Sequence, residues 1–168
     1  MYIVGQIFGV IAIILGFVSY QMRTKRQILF VLSVTAVSFC IHYFMIGAYS
    51  GMAMNAVNIV RNVVYDKRSA ANKNGFIAPA VFAVIQTVVC IMTWEAWYSV
   101  FVLFGLVINT VCVSFADPQK VRKSILVTSP LVLTYDALAG SIGGSIYEAV
   151  AIVSAVVGIF RNRKSTNA

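Results

Sequence analysis

The chain has 168 residues, of which 60% are apolar and 11% charged, and its mean hydropathy is +0.88. A soluble domain carries roughly 45–50% apolar and about 25% charged residues, so the composition excludes a soluble enzyme, a disordered tail, a collagen and a disulfide scaffold, and leaves a polytopic α-helical membrane protein. The formal net charge of +8 would point to nucleic acid in a soluble protein, but where the basic residues stand gives it another meaning.

A membrane-spanning helix needs about 20 mostly apolar residues, within a range of roughly 17–25. Seven apolar runs follow one another: 3–21, 28–45, 51–65, 76–93, 97–116, 124–139 and 144–160. None alternates with period two, so a β-barrel is not indicated. The third and sixth are short, which predicts tilt or local thinning of the bilayer. The first has no basic segment before it and no small-residue cleavage site, so it reads as a retained helix and not a signal peptide. Gly5, Gly9 and Gly16 form a small-residue stripe on it. Such stripes let helix backbones approach closely, within the bundle or across a homodimer.

The junctions between runs alternate in character. Arg23, Lys25 and Arg26 stand in the first, Lys67, Arg68 and Lys73 in the third, Lys120, Arg122 and Lys123 in the fifth, and Arg161, Arg163 and Lys164 in the tail. The second and sixth, around Gly47 and Gly140, carry no charge, and the fourth is Trp94-Glu95-Ala96-Trp97. Twelve of the thirteen Lys and Arg thus fall on one side, which the positive-inside rule makes cytoplasmic. The N-terminus is then outside and the C-terminus inside, which requires an odd number of spans. Trp94 and Trp97 mark the outer interface. Thr24 and Ser124 are candidate helix caps after the basic junctions. The three cysteines, Cys40, Cys90 and Cys112, lie inside apolar runs, and their spacing matches no metal or redox motif.

Sliding the chain by 93 residues lays Gly47–Arg68 over Gly140–Arg161 with nine of 22 positions identical, including both glycines and the final arginine. With a shift of two more, Ser19-Tyr20 falls on Ser114-Phe115. Spans 1–3 therefore repeat as spans 5–7, with span 4 between them. Two three-helix units joined by one helix share an orientation, which makes them parallel repeats, an arrangement of transporters with sites at the repeat interface. The expected organisation is a first repeat over 1–68, a loop and linker helix over 69–95, a second repeat over 96–161 and a basic cytoplasmic tail over 162–168.

The string Ala139-Gly140-Ser141-Ile142-Gly143-Gly144 followed by Glu148, together with His42, Gly47, Asn55 and Arg61, resembles the YgjV-type family of small bacterial inner-membrane proteins over most of the chain. That resemblance implies the bacterial inner membrane and carries no settled activity. More distantly, the chain is similar to the SWEET and PQ-loop proteins, which share the 3+1+3 plan with an outside N-terminus. Pro118-Gln119 stands where their PQ dipeptide ends the first helix of the second repeat, and Tyr20-Gln21 stands in the first. SWEET-like carriers use prolines as hinges, and this chain has none before Pro79. They also place ligand-binding asparagines on the third helix of each repeat. Asn55 or Asn58 would match, but the counterpart of Asn55 in the second repeat is Glu148, so the resemblance implies no symmetric sugar site.

Polar side chains at membrane depth are costly and by default face the bundle interior or a cavity. At 100° per residue, Asn55, Asn58 and Asn62 fall within an arc of about 60°, with Arg61 beside Asn58. These amides either tie helices together or contact a ligand. Arg61 breaks the charge pattern and must either snorkel to the interface or find an acidic partner. Asp136 and Glu148 are the acids inside spans. His42, Asp136, Asn55 and Glu148 form an expected ring near the outer mouth, with Arg61 deeper. An alternative for His42 is a hydrogen-bonded interfacial histidine, while Gln86 and Asn109 read as helix–helix contacts. No phosphate loop, zinc pair, HExxH or GxSxG occurs, so no cofactor, metal or enzyme is expected, apart from a minor reading of intramembrane catalysis by His42 with Asp136. Two function classes follow. One is a transporter or facilitator of a small polar or cationic solute, with its site between helices 3 and 7. The other is a non-transporting receptor, assembly or partner protein of the same fold.

Overall fold

The computed structural model describes residues 2–71, 75–115 and 117–163, which form seven α-helices and no strands. They are α1 (Tyr2–Gln21), α2 (Lys25–Ile46), α3 (Tyr49–Ala70), α4 (Ile77–Met92), α5 (Ser99–Ser114), α6 (Pro118–Leu138) and α7 (Ile142–Arg163). Lys73, Ala116 and residues 164–168 of the basic tail lie outside the described residues.

The helix boundaries follow from local chemistry. Thr24 opens α2 with a reciprocal capping box: its hydroxyl accepts from the Gln27 N–H, and the Gln27 side chain accepts from the Thr24 N–H. At the opposite end, Gly47 stands at φ 83° and Gly140 at φ 72°. This left-handed backbone suits glycine because it has no Cβ to clash. After each glycine the next N–H returns to a carbonyl five residues back, Ala48 to Tyr43 and Ser141 to Asp136, which satisfies carbonyls left open by the helix end. α2 turns into α3, and α6 into α7, by the same means.

Some boundaries differ from the sequence expectation. α3 and α6 are not short: their 22 and 21 residues span about 33 and 31 Å at 1.5 Å per residue. The short helices are α4 and α5, with 16 residues each. Asp117 caps α6 through the Gln119 N–H, with Pro118 at the first helical position, where its missing donor costs nothing. The Pro-Gln dipeptide therefore begins α6 and does not end α5. Ser124 is not a cap, because α6 starts more than a turn before it; its hydroxyl bonds the Val121 carbonyl of its own helix.

The basic junctions are also less uniformly solvated than a topology signal implies. Arg122 is 1% exposed and donates to the Tyr20 and Met22 carbonyls at the end of α1. Lys25 is buried and donates to the Ser114 carbonyl at the end of α5. Cations here neutralise the negative ends of helix dipoles.

α2 packs between α1 and α3, α6 packs between α5 and α7, α1 closes against α7, and α4 lies against α3 and α5. The stripe on α1 faces inward. A Cβ on Gly9 would meet His42 and the Gly143 backbone, and one on Gly5 would meet Met45, so within the chain the close approach it permits is to α2 and α7. One buried cluster joins Ala12, Tyr20, Phe39, Tyr43, Tyr147, Ala151 and Ala155, and another joins Ile28, Leu29, Tyr65, Phe82, Val113 and Val121. Large apolar side chains such as Phe30, Ile77, Met92 and Phe160 are exposed, while Ser, Thr, Asn and charged residues are buried among the helices. Several hydroxyls inside the helices bond their own backbone, as Ser33 does on Leu29 and Thr87 on Ala83. Two helices, Lys25–Ile46 and the Ile142–Arg161 portion of α7, are long and apolar enough by themselves to cross a membrane.

Candidate functional site

The amphipathic third helix determines the site. Its run of Asn55, Asn58, Arg61 and Asn62 is turned inward, while Val60 and Val63 face out. A cavity of about 80 Å³ lies against this inner face. Asn55, Asn58, Arg61, Asn62 and Glu148 all line it. Facing them are Phe39 and Tyr43 of α2, Asn109 of α5, Thr128 and Ser129 of α6, and Tyr147 of α7. A water needs roughly 10–15 Å³ of such space, so the cavity has room for several waters or a small solute.

Arg61 is 2% exposed, so it does not snorkel. It also has no acidic partner within ion-pair distance; among the described residues the recorded ion pair is Arg26 with Asp66. Neutral groups hold it instead. Its Nε and Nη2 donate to Asn62 Oδ1 at 3.2 and 3.0 Å, and its Nη1 donates to Thr110 Oγ1 at 2.8 Å. The Thr110 hydroxyl donates to Gln86 Oε1 at 2.7 Å, and the Gln86 amide donates to Asn58 Oδ1 at 3.0 Å. The chain Asn62–Arg61–Thr110–Gln86–Asn58 thus joins α3, α4 and α5. In a low dielectric, such a fully connected network holds its members in fixed orientations. Gln86 is accordingly a link in the network that orients the arginine, beyond a simple helix contact. Thr110 escaped the sequence reading; a lone hydroxyl in an apolar helix usually bonds its own backbone, so nothing local marks it.

His42 and Asp136 do not join Asn55 and Glu148 in a ring around the cavity. His42 is fully buried between α1 and α7, with Nδ1 2.9 Å from the Gly5 carbonyl and Nε2 3.1 Å from Ser141 Oγ. Its neighbour Tyr43 takes the inward position and donates to Asp136 Oδ1 at 2.6 Å. Asp136 is fully buried behind that tyrosine, and its Oδ2 has no hydrogen-bond partner among the described residues. The residues share a depth, but the helical rotation between adjacent positions sends them to different neighbours.

Glu95 also went unrecognised as a site element. It sits in the α4–α5 turn, where Oε1 accepts from the Ser50 N–H at 2.8 Å and Oε2 accepts from the Tyr135 hydroxyl at 3.4 Å. The Tyr135 oxygen in turn accepts from the Gly51 N–H at 3.0 Å. An acid at the positive end of α3 thus ties α3, α6 and the α4–α5 turn together. The signal was present in the sequence: Glu95 is the one acid of the weakly charged junctions. Among the described residues, no group of three or more His, Cys, Asp or Glu is placed to hold a metal ion.

A family model described as a bacterial inner membrane protein, Imp-YgjV, matches residues 3–166. No curated protein and no solved structure matches the chain. The chain belongs to this family of inner-membrane proteins.

Proposed function

We propose that this member of the Imp-YgjV family is a transporter or facilitator of a small polar solute, with its site between α3 and α7. The observation that carries the proposal is that Asn55, Asn58, Arg61, Asn62 and Glu148 line one cavity. Dry helix packing would enclose such groups against one another, leaving no space between them. On this reading α1–α3 and α5–α7 are parallel repeats around the cavity, α4 is the linker, the N-terminus is outside and the basic end is cytoplasmic.

Pairs of positions 93 residues apart support the repeat. Thr24 and Asp117 both cap, and Gly47 and Gly140 are both left-handed. Gly51 makes room for the Tyr43 ring as Gly144 makes room for the Asp136 carboxyl, and Tyr43 and Asp136 bond each other. Lys25 reaches the end of α5 while Arg122, which is not its repeat equivalent, reaches the end of α1, an exchange between the two halves. The likeness to SWEET and PQ-loop proteins rests on the helix plan alone.

A second reading, a non-transporting receptor, assembly or partner protein, is favoured by the small cavity and by an amide network that satisfies itself. Neither reading is enzymatic: His42 and Asp136 each bond other groups and not one another. A flux screen of small polar solutes in proteoliposomes separates the two. Transport predicts saturable uptake reduced about tenfold or more in Asn58→Ala and in Glu148→Ala, the size of a lost charge-assisted contact. A folded, reconstituted protein that moves no solute above empty liposomes supports the second.

A further inference from the structure

The cavity is lined by a guanidinium and a carboxyl group that do not meet. Arg61 stands on α3 and Glu148 on α7, both line the space, and no ion pair joins them. An arginine at membrane depth costs at least roughly 2.5–3.5 kcal/mol even by the mildest scale. Direct pairing would be the simple remedy, yet Thr110 and Asn62 hold the guanidinium toward α5. These contacts use three of its five N–H donors. The two that remain are left for whatever occupies the cavity, and the Glu148 carboxyl stands in the same space beside the Ser129 hydroxyl.

The backbone positions of Arg61 and Glu148 are offset along the helix axes. Asn55 follows the left-handed Gly47 by as many residues as Glu148 follows the left-handed Gly140. The two hairpins turn at the same end of the molecule, so Glu148 stands at about the level of Asn55. Arg61 lies six residues further along α3, about 9 Å at 1.5 Å per residue. The carboxylate and ammonium of an α-amino acid are ~3 Å apart, and with a charge-assisted hydrogen bond of ~2.8 Å at each end such a ligand spans about 9 Å, the same order as the axial offset of the two backbone positions.

We propose that the cavity takes a small zwitterion of the α-amino-acid type, its carboxylate on Arg61 and its ammonium on Glu148. The proposal rests on reading the cavity as a solute site. Asn55, Asn58 and Asn109 line the same cavity with their amides, while Phe39 and Tyr147, packed edge to face at 4.7 Å, give an apolar wall for a short side chain. The cavity's volume of about 80 Å³ limits that side chain to a small one.

The test is equilibrium binding to the purified full chain in detergent, read by calorimetry and by the shift in Tm. Glycine, L-alanine and L-serine are compared with lactate, which lacks the ammonium, and alaninamide, which lacks the carboxylate. The zwitterions bind, and alanine binds about tenfold or more tighter than either single-charge analogue, as expected for loss of one charge-assisted contact. In Glu148→Gln the preference for alanine over lactate disappears, and in Arg61→Gln the preference over alaninamide disappears. The wild-type analogue series needs no variant to fold. Lactate or alaninamide binding as tightly as alanine overturns the proposal, and so does absence of binding by all three zwitterions. Alanine binding without flux in proteoliposomes overturns transport but keeps the site. Saturable flux of an uncharged solute, with no zwitterion bound, keeps transport and overturns this assignment.

Discussion

At the scale of single residues, the core depends on a few close approaches that tolerate no added atom. A Cβ on Gly144 would come within 2.5 Å of the Asp136 carboxyl, a group that accepts a hydrogen bond from Tyr43. Gly144→Ala therefore forces the carboxyl away from the tyrosine, and Tyr43→Phe removes the donor directly. Each is expected to lower unfolding stability by about 1–3 kcal/mol, as for a buried polar group that loses its partner. The two together should cost less than their sum, because both break one contact. Unfolding in mixed micelles measures this; additivity of the pair would show that the glycine serves something other than the carboxyl. What was legible at this scale was backbone chemistry. Gly47, Gly140 and Thr24 announced their turns and cap because local sterics decide them. The partners of His42 and Asp136 were not legible, since residue counting gives depth along a helix but the neighbour on each side is a tertiary fact.

At the scale of elements, the ends of helices are held by side chains from the other half of the molecule. Arg122 closes the end of α1 and Lys25 closes the end of α5. Arg122→Ala leaves the Tyr20 and Met22 carbonyls without that donor and is expected to cost about 1.5–3 kcal/mol, the range for a hydrogen bond to a charged group. Lys123→Ala, one residue on and exposed, should stay within about 0.5 kcal/mol. Comparing the two by thermal unfolding checks the assignment; equal effects would mean that the basic cluster acts only as a diffuse charge. The sequence marks these cations as basic junctions and reads them as loop, whereas both lie within helices. Hydrophilicity at the start of α6 concealed a helix that Asp117 and Pro118 had already opened, and the cap two positions before a Gln backbone donor was the stronger signal. Apolar length misjudged the helices for the same reason. α3 and α6 extend through polar residues, whereas α4 stops at Met92, just short of the Trp94–Trp97 turn.

At the scale of the whole molecule, a chain poor in charge has buried several of its charged groups. Arg61, Arg122, Asp136, Glu148 and Lys25 are all inside, and the lipid-facing surface is left apolar. Of these, Arg122 and Lys25 have helix ends to serve and Asp136 has Tyr43. Arg61 and Glu148 remain in the cavity, which makes it the candidate seat of function. The most direct test asks whether the cavity is reached from both sides of the membrane. Asn55→Cys, with Cys40, Cys90 and Cys112 replaced by alanine, is labelled with an impermeant maleimide in right-side-out and in inverted inner-membrane vesicles. Alternating access predicts labelling from both faces; labelling from neither face, or from one face alone under every condition, would contradict a transport cycle around this cavity.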